Sequence, residues 1–265
     1  MIPTPEQDKD FPWWLVVAAG LAAWFVWQIV TDDIYTQVLR TLSKGVGITI
    51  FVTLVGFTLA CGIGLLLAVA SLSRHRVLRQ VARFYIEIIR GVPILVLLLY
   101  VAFVVAPAAV VAWNWVLDLF GLDPIRTRDF SLLWRATIAL TIGYSAFIAE
   151  VFRAGLQSIE KGQIEAAEAL GLRAWHRFRF ITFPQAFRRI LPPLGNDFVA
   201  MIKDSSLVSV LGVTDVTQLG KVTAAGNSRY FETYNVVALI YLMMTVTLSL
   251  VLRRVARKLR ARYPG

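Results

Sequence analysis

The chain has 265 residues, a net charge of +10 and a mean hydropathy of +0.65, with charged residues at only 17%. Ordinary soluble domains are about one-quarter charged, so this composition excludes a soluble fold. The charge lies in clusters bordering long apolar stretches, which argues against a nucleic-acid surface.

The N-terminal segment does not read as a signal peptide. Lys9 is outnumbered by Glu6, Asp8 and Asp10, and no small-residue cleavage site follows the apolar stretch. A first span is expected at about 13–30, with Trp13, Trp14, Trp24 and Trp27 as interfacial anchors. Asp32 and Asp33 mark a short external loop. The second span, about 46–71, is dotted with Gly45, Gly47, Gly56, Gly62 and Gly64, small residues that let helices approach closely in lipid. Cys61, the single cysteine, leaves neither an intrachain disulfide nor a Cys-based metal site. His75 and His176 lie in basic loops and suit solvated positions.

The third span begins within Arg83–Pro93. Glu87 lies four residues after Arg83 and three before Arg90, so the three can meet on one helix face, as a local ion-pair cluster or as a carboxylate facing a polar cavity. Gly91-Val92-Pro93 is a natural break. After about residue 107 an interfacial external segment carries Trp113, Trp115, Asp118, Asp123 and Asp129. The fourth span, 136–152, is apolar apart from Glu150, which either pairs with Arg153 or points into the bundle; an intramembrane carboxylate is a functional candidate. The fifth, 186–203, is expected to be interrupted at Pro192–Asp197, with Lys203 and Asp204 near the far side. A gating or re-entrant piece from Ser205 to about Leu219 would precede the sixth span, 233–252. The uncharged stretches 13–30, 46–70, 91–117 and 233–252 each match or exceed the roughly 18–20 residues of a bilayer-crossing helix.

Four basic residues follow the second span, seven surround 153–189 and six follow the last span, seventeen of the 27 Lys and Arg on one side of a six-span arrangement. The positive-inside rule makes that side cytoplasmic, with both termini there. The basic C-terminal run then anchors at anionic lipid.

Between the fourth and fifth spans lies QIEAAEALGLRAWHRFRFITFP, residues 163–184, a polar helix ended by Gly171 and followed by a basic, aromatic loop. A polar element of this size between spans is a docking element. Glu165-Ala166-Ala167, then Gly171 after three residues, then Ile181-Thr182-Phe183-Pro184 resembles the signature of permease subunits of binding-protein-dependent ABC importers, with Phe183 where the family usually has Leu. Arg90–Val96, Ala149–Leu156 and Lys203–Val210 resemble the polar-amino-acid branch, over about residues 40–257. Leu97 stands where that branch commonly carries Gln.

The resemblance implies an all-α integral membrane protein, with a five-span type I permease core at 36–257 and an extra N-terminal transmembrane helix and loop at 1–35. A coupling helix at about 160–172 would carry Glu165, Ala166, Ala167 and Gly171, and 258–265 would form a basic cytoplasmic tail. It implies a bacterial inner-membrane protein that works with separate ABC ATPase subunits, a second permease (identical or paralogous), an external solute-binding protein and the lipid bilayer, with no nucleic acid. ATP and Mg would be bound by the ATPase; the chain itself needs no cofactor or metal and has no catalytic residue. The candidate pathway residues are Glu87, Glu150, Asn196, Lys203, Asp204 and Ser205. Glu87 and Glu150 favour an amino group, Arg90 and Arg153 a carboxylate, and a zwitterionic amino acid offers both.

Two rival classes are weaker. The nearest imitation of a phosphate-cradling loop, Gly212 to Gly220-Lys221-Val222, has seven residues between the glycines and valine in place of the hydroxyl, so the chain is not an ATPase. A secondary transporter working without an ATPase would show paired motifs in two halves; the breaks at Gly91–Pro93 and Pro192–Gly195 share none.

Overall fold

The computed structural model describes residues 13–261, and all regular structure among them is helical. Among the described residues, four helical stretches are long and apolar enough to cross a membrane: Asp33–Ser71, Ile94–Leu119, Leu132–Gln157 and Tyr230–Val255.

Helix α1, Trp13–Thr31, leaves Trp13, Val17, Trp24, Trp27 and Val30 exposed and packs on α2, Asp33–Ser43. The side chain of Trp14 lies outside the described residues. The expected Asp32–Asp33 loop is a single-residue joint. Asp32 accepts from the Ile34 amide at 2.8 Å and caps α2, and Asp33 opens that helix. Helix α2 is amphipathic, and Tyr35, Val38 and Leu42 bury against Val216, Val236, Val237 and Ile240.

Helix α3, Val46–Ser71, packs along α7, Leu132–Gln157, in the same direction, so their C-terminal ends share one end of the bundle. Small residues set the approach. A Cβ on Gly64 would lie 2.9 Å from Ile148 Cγ2 and 3.0 Å from the Ser145 carbonyl oxygen; one on Gly56 would lie 2.6 Å from the Met201 methyl. Gly45 meets the Asp215–Val216 backbone in the same way, whereas Gly47 and Gly62 face open space. The glycines expected to pack therefore divide into two kinds.

Helix α4, Arg76–Gly91, ends at the expected break. Val92 is extended, as the residue before a proline prefers, and α5, Ile94–Tyr100, begins after Pro93. It continues through a π-turn, Val101–Val105, into α6, Ala106–Leu119. The buried Arg135 guanidinium donates to the Ala102 carbonyl at 3.1 Å, the Phe130 carbonyl at 2.8 Å and the Thr127 carbonyl, tying this wide turn to the following loop. Leu97 is a core residue, packed with Leu98, Val101, Leu211 and Val213.

Helix α8, Lys161–Ala169, and the short α9, Ala174–Arg177, follow. A second π-turn, Phe178–Thr182, leads into α10, Phe183–Asp204. The expected interruption at Pro192-Pro193 is absent. The helix runs through both prolines, whose missing amides leave carbonyls one turn back unpaired without breaking a segment packed against α3, α7 and α12. Beyond α10, a 3₁₀ segment, Ser205–Leu211, ends at left-handed Gly212. Asp215 caps α11, Val216–Asn227, through the Gln218 amide and also accepts from Tyr241 of α12, Tyr230–Ala261. The non-spanning piece thus extends to Asn227 instead of Leu219. The side chains of Arg257, Lys258 and Arg260, and all of Arg262, lie outside the described residues.

Candidate functional site: a polar seam and a projecting helix

Helix α8 stands clear of the bundle. Glu165, Ala166, Ala169 and Leu170 are exposed, Leu170 by 81%, while Ala167 is 2% exposed and packs inward. Of the candidate coupling residues, Glu165 and Ala166 thus face out and Ala167 is part of the helix's base. Gly171 has φ +75°; its amide donates to the Glu168 carbonyl and the Leu172 amide to the Ala167 carbonyl. That is the paired left-handed cap that terminates many helices at glycine, as the sequence leads one to expect.

The base of α8 is fastened firmly. Ile164 packs on Ile159, Ala186 and Ile190, a cluster that also takes in Val151, Phe152 and Leu156 of α7 and Leu194 of α10. Gly155 lies directly against Ile190, close enough to leave no room for a Cβ. Gln185 bonds Gln163 at 2.5 Å, Arg189 reaches the Ser158 carbonyl, and Arg177 pairs with Glu168. Through this cluster α8 is in contact with the ends of both α7 and α10.

Those two helices, with α4, carry the polar residues. Helix α4 has three faces, each set by its sequence spacing. Ala82 and Ile86 are buried; Val77, Val81, Phe84 and Ile88 form an exposed apolar strip; Arg76, Arg83, Glu87 and Arg90 form an exposed charged strip. Glu87 makes no ion pair with Arg83 or Arg90, so of the two readings of this spacing the local ion-pair cluster is not formed. Tyr144, Phe147, Glu150 and Arg153, three residues apart, wind partway round α7 from its buried face to its outer face. Glu150 does make its local pair, receiving Arg153 Nε at 3.1 Å on both oxygens and Nη2 at 2.5 Å. Arg90 lies 5.7 Å from the Phe147 ring centroid, Phe147 lies 6.3 Å from Tyr144, and the Tyr144 hydroxyl donates to Asp204 at 2.7 Å. A contact-continuous seam thus links α4, α7 and α10.

On α10, Asn196 and Lys203 are exposed, Asn196 beside Leu252 and Arg253 of α12. Ser205 is not: it is fully buried and donates to the Ile202 carbonyl at 2.7 Å, a structural role in place of the expected pathway position. Sequence reasoning passed over Asp197. It lies seven residues before Asp204 on the same side of the helix, and its Oδ2 is enclosed with no hydrogen-bond partner. Its type and place in an expected span were signal enough. Tyr144 and Phe147, which join the charged groups, offered no such signal. Among the described residues no His, Cys, Asp and Glu gather into a metal-binding group.

The charged strip of α4, a helix outside the four candidate spans, is untenable at the hydrocarbon centre, where a charge costs at least about 2.5–3.5 kcal/mol. It must face water, lipid head groups or another protein chain. Polar seam, apolar outer faces and a projecting helix fastened to the seam's own helices together define a membrane transport subunit. The chain belongs to the family of binding-protein-dependent transport system inner membrane components, whose family profile matches residues 60–263. It is 37% identical over 219 residues to the glutamine transport system permease protein GlnP of Escherichia coli K12, covering 83% of this chain and 93% of that one. It is 34% identical to the probable amino-acid permease protein YxeN of Bacillus subtilis, covering 79% and 87%. A crystal structure of an amino acid ABC transporter with histidines superposes with a TM-score of 0.70 at 34% identity, over 87% of this chain and 98% of that one. The methionine transporter MetNI, at 20% identity and a TM-score of 0.61, shares the fold.

Proposed function

We propose that the chain is the permease of an ATP-driven importer that takes amino acids from an external binding protein and passes them into the cytoplasm. The observation that carries this reading is the fastening of exposed α8 to α7 and α10 through Ile159, Ala186 and Ile190. One rigid lever thus connects a docking surface to the polar seam. A separate ATPase, holding ATP and Mg, would bind α8 around Glu165 and Ala166 and push it. The chain would then hydrolyse nothing itself. The relatives' names support amino acids as cargo, as does the seam's chemistry: Asp197 has an oxygen with no donor among the described residues, suited to an amino group, and exposed Arg90 and Lys203, in no close ion pair among the described residues, suit a carboxylate.

The exposed charged strip of α4 calls for a second permease, identical or paralogous, with the pathway between the two. In this reading α8 and both chain ends face the cytoplasm of an inner membrane, α1 is an addition outside the five-span core, and the last residues anchor on anionic lipid.

The test is co-purification from the native host. The tagged chain should bring down a nucleotide-hydrolysing subunit in stoichiometric amount. The double variant Glu165→Lys, Ala166→Arg, altered only on the exposed side of α8, should insert normally and lose it. Retention of the ATPase by this variant would place the docking surface elsewhere.

A further inference from the structure

We propose that a groove at the α8 end of the bundle binds one chain of an anionic phospholipid, with the lipid's head group held by Arg74 and Ser73. The groove lies between the last turns of α3, the start of α4 and Leu156 of α7, with a volume of about 770 Å³. That falls within the roughly 300–1,000 Å³ of clefts that hold small ligands. Its walls are Ile63, Leu66, Leu67, Val69, Leu72 and Leu78, and only Ser73 and Arg74 at its mouth are polar.

Three observations select a lipid over other occupants. First, the groove opens on the apolar side of the molecule. Leu66 is 71% exposed, and Leu78 adjoins the exposed strip of Val77, Val81, Phe84 and Ile88. Second, depth is right: α3 ends at Ser71, so an apolar wall gives way to a polar mouth where a spanning helix leaves the hydrocarbon. Third, the mouth has one sign of charge. Arg74 lines it, Arg79 reaches the Ser73 carbonyl, and the sequence has no Asp or Glu between Asp33 and Glu87. Arg79 is held by the Ser73 carbonyl at 3.0 Å, while Arg74 has no hydrogen bond or ion pair among the described residues. The Ser73 oxygen accepts from the His75 amide at 3.2 Å, which leaves its hydroxyl hydrogen free to donate. A phosphate satisfies both, and a net negative head group is favoured because no acid at the mouth could receive a choline. Basic pockets between spanning helices at the cytoplasmic level bind such head groups.

The experiment uses the intact importer complex in detergent, titrated with phosphatidylglycerol, phosphatidylcholine or inorganic phosphate and read by native mass spectrometry. The wild type should retain one phosphatidylglycerol per copy of this chain, and phosphatidylcholine less. Inorganic phosphate should not displace the bound lipid. Arg74→Gln should weaken phosphatidylglycerol retention roughly fivefold, the scale of one basic residue at an anionic surface. Leu66→Trp, which fills the groove and leaves Arg74 in place, should abolish it. Equal retention of both lipids, or unchanged phosphatidylglycerol in Leu66→Trp, overturns the proposal. So does efficient cross-linking between two permeases through cysteines placed at Leu66, which would make the groove a subunit interface. If Arg74→Gln fails to assemble, Leu66→Trp decides alone.

Discussion

Gly171 lets the coupling account be tested by backbone conformation rather than by side-chain loss. Its φ of +75° belongs to the left-handed region, and the space where a Cβ would project holds no atom within 4 Å. Any effect of substitution inside this chain is therefore conformational strain, not collision. A residue with a Cβ costs about 1–2 kcal/mol in this region, more if β-branched, while asparagine tolerates it. One to two kcal/mol is a factor of roughly 5–30 in the population of a correctly capped α8. Solute-stimulated ATP hydrolysis by the reconstituted importer should accordingly fall in the order Gly, Asn, Ala, Val at this position. Gly171→Asn should lie near the wild type and Gly171→Val should lose most of the stimulation, with equal amounts of each variant in the membrane. Wild-type stimulation in Gly171→Val, or a Gly171→Asn worse than Gly171→Ala, would refute the reasoning.

Three further outcomes follow from the packing and the seam. Gly64→Val should lower the yield and melting temperature of the folded protein, at the 1–3 kcal/mol typical of overpacking, because two of the atoms it would meet are backbone; Gly62→Val, in open space, should leave both unchanged. Asp197→Asn loses no hydrogen bond within the chain and should stay folded, yet need about tenfold or more solute for half-maximal uptake, the scale of one charge-assisted hydrogen bond; Glu150→Gln, which loses the Arg153 pair, should instead reduce thermal stability. In a background lacking Cys61, a cysteine at Lys161 should be labelled only from the cytoplasm and one at Asp123 only from outside, and labelling of both from one face would break the proposed topology.

The sequence was most legible where a local rule suffices. The break at Gly91–Pro93 and the left-handed end of α8 at Gly171 both follow from what proline and glycine do to their own backbone, and both are present. Legibility fell where neighbours decide. Pro192-Pro193 looks like an interruption on its own, but α10 is supported by α3, α7 and α12 and continues. Spacing put Glu87 within reach of two arginines and Glu150 within reach of one; only Glu150 pairs, and the strip bearing Glu87 is left exposed. Ser205, polar and adjacent to Asp204, is turned into the core, whereas Asp197 is enclosed beside the seam. Which way a helix faces is settled by the helices around it, and a linear pattern does not contain them.

Transport by the assembled importer tests the central claim most directly. Proteoliposomes containing this chain, its permease partner and the ATPase, with ATP sealed on the α8 side and the binding protein on the other, would be followed for uptake of labelled amino acids. The account predicts uptake of at least one amino acid that requires both ATP and the binding protein, and its loss in the Glu165→Lys, Ala166→Arg variant. Uptake that proceeds without ATP, or that survives disruption of α8, would contradict it.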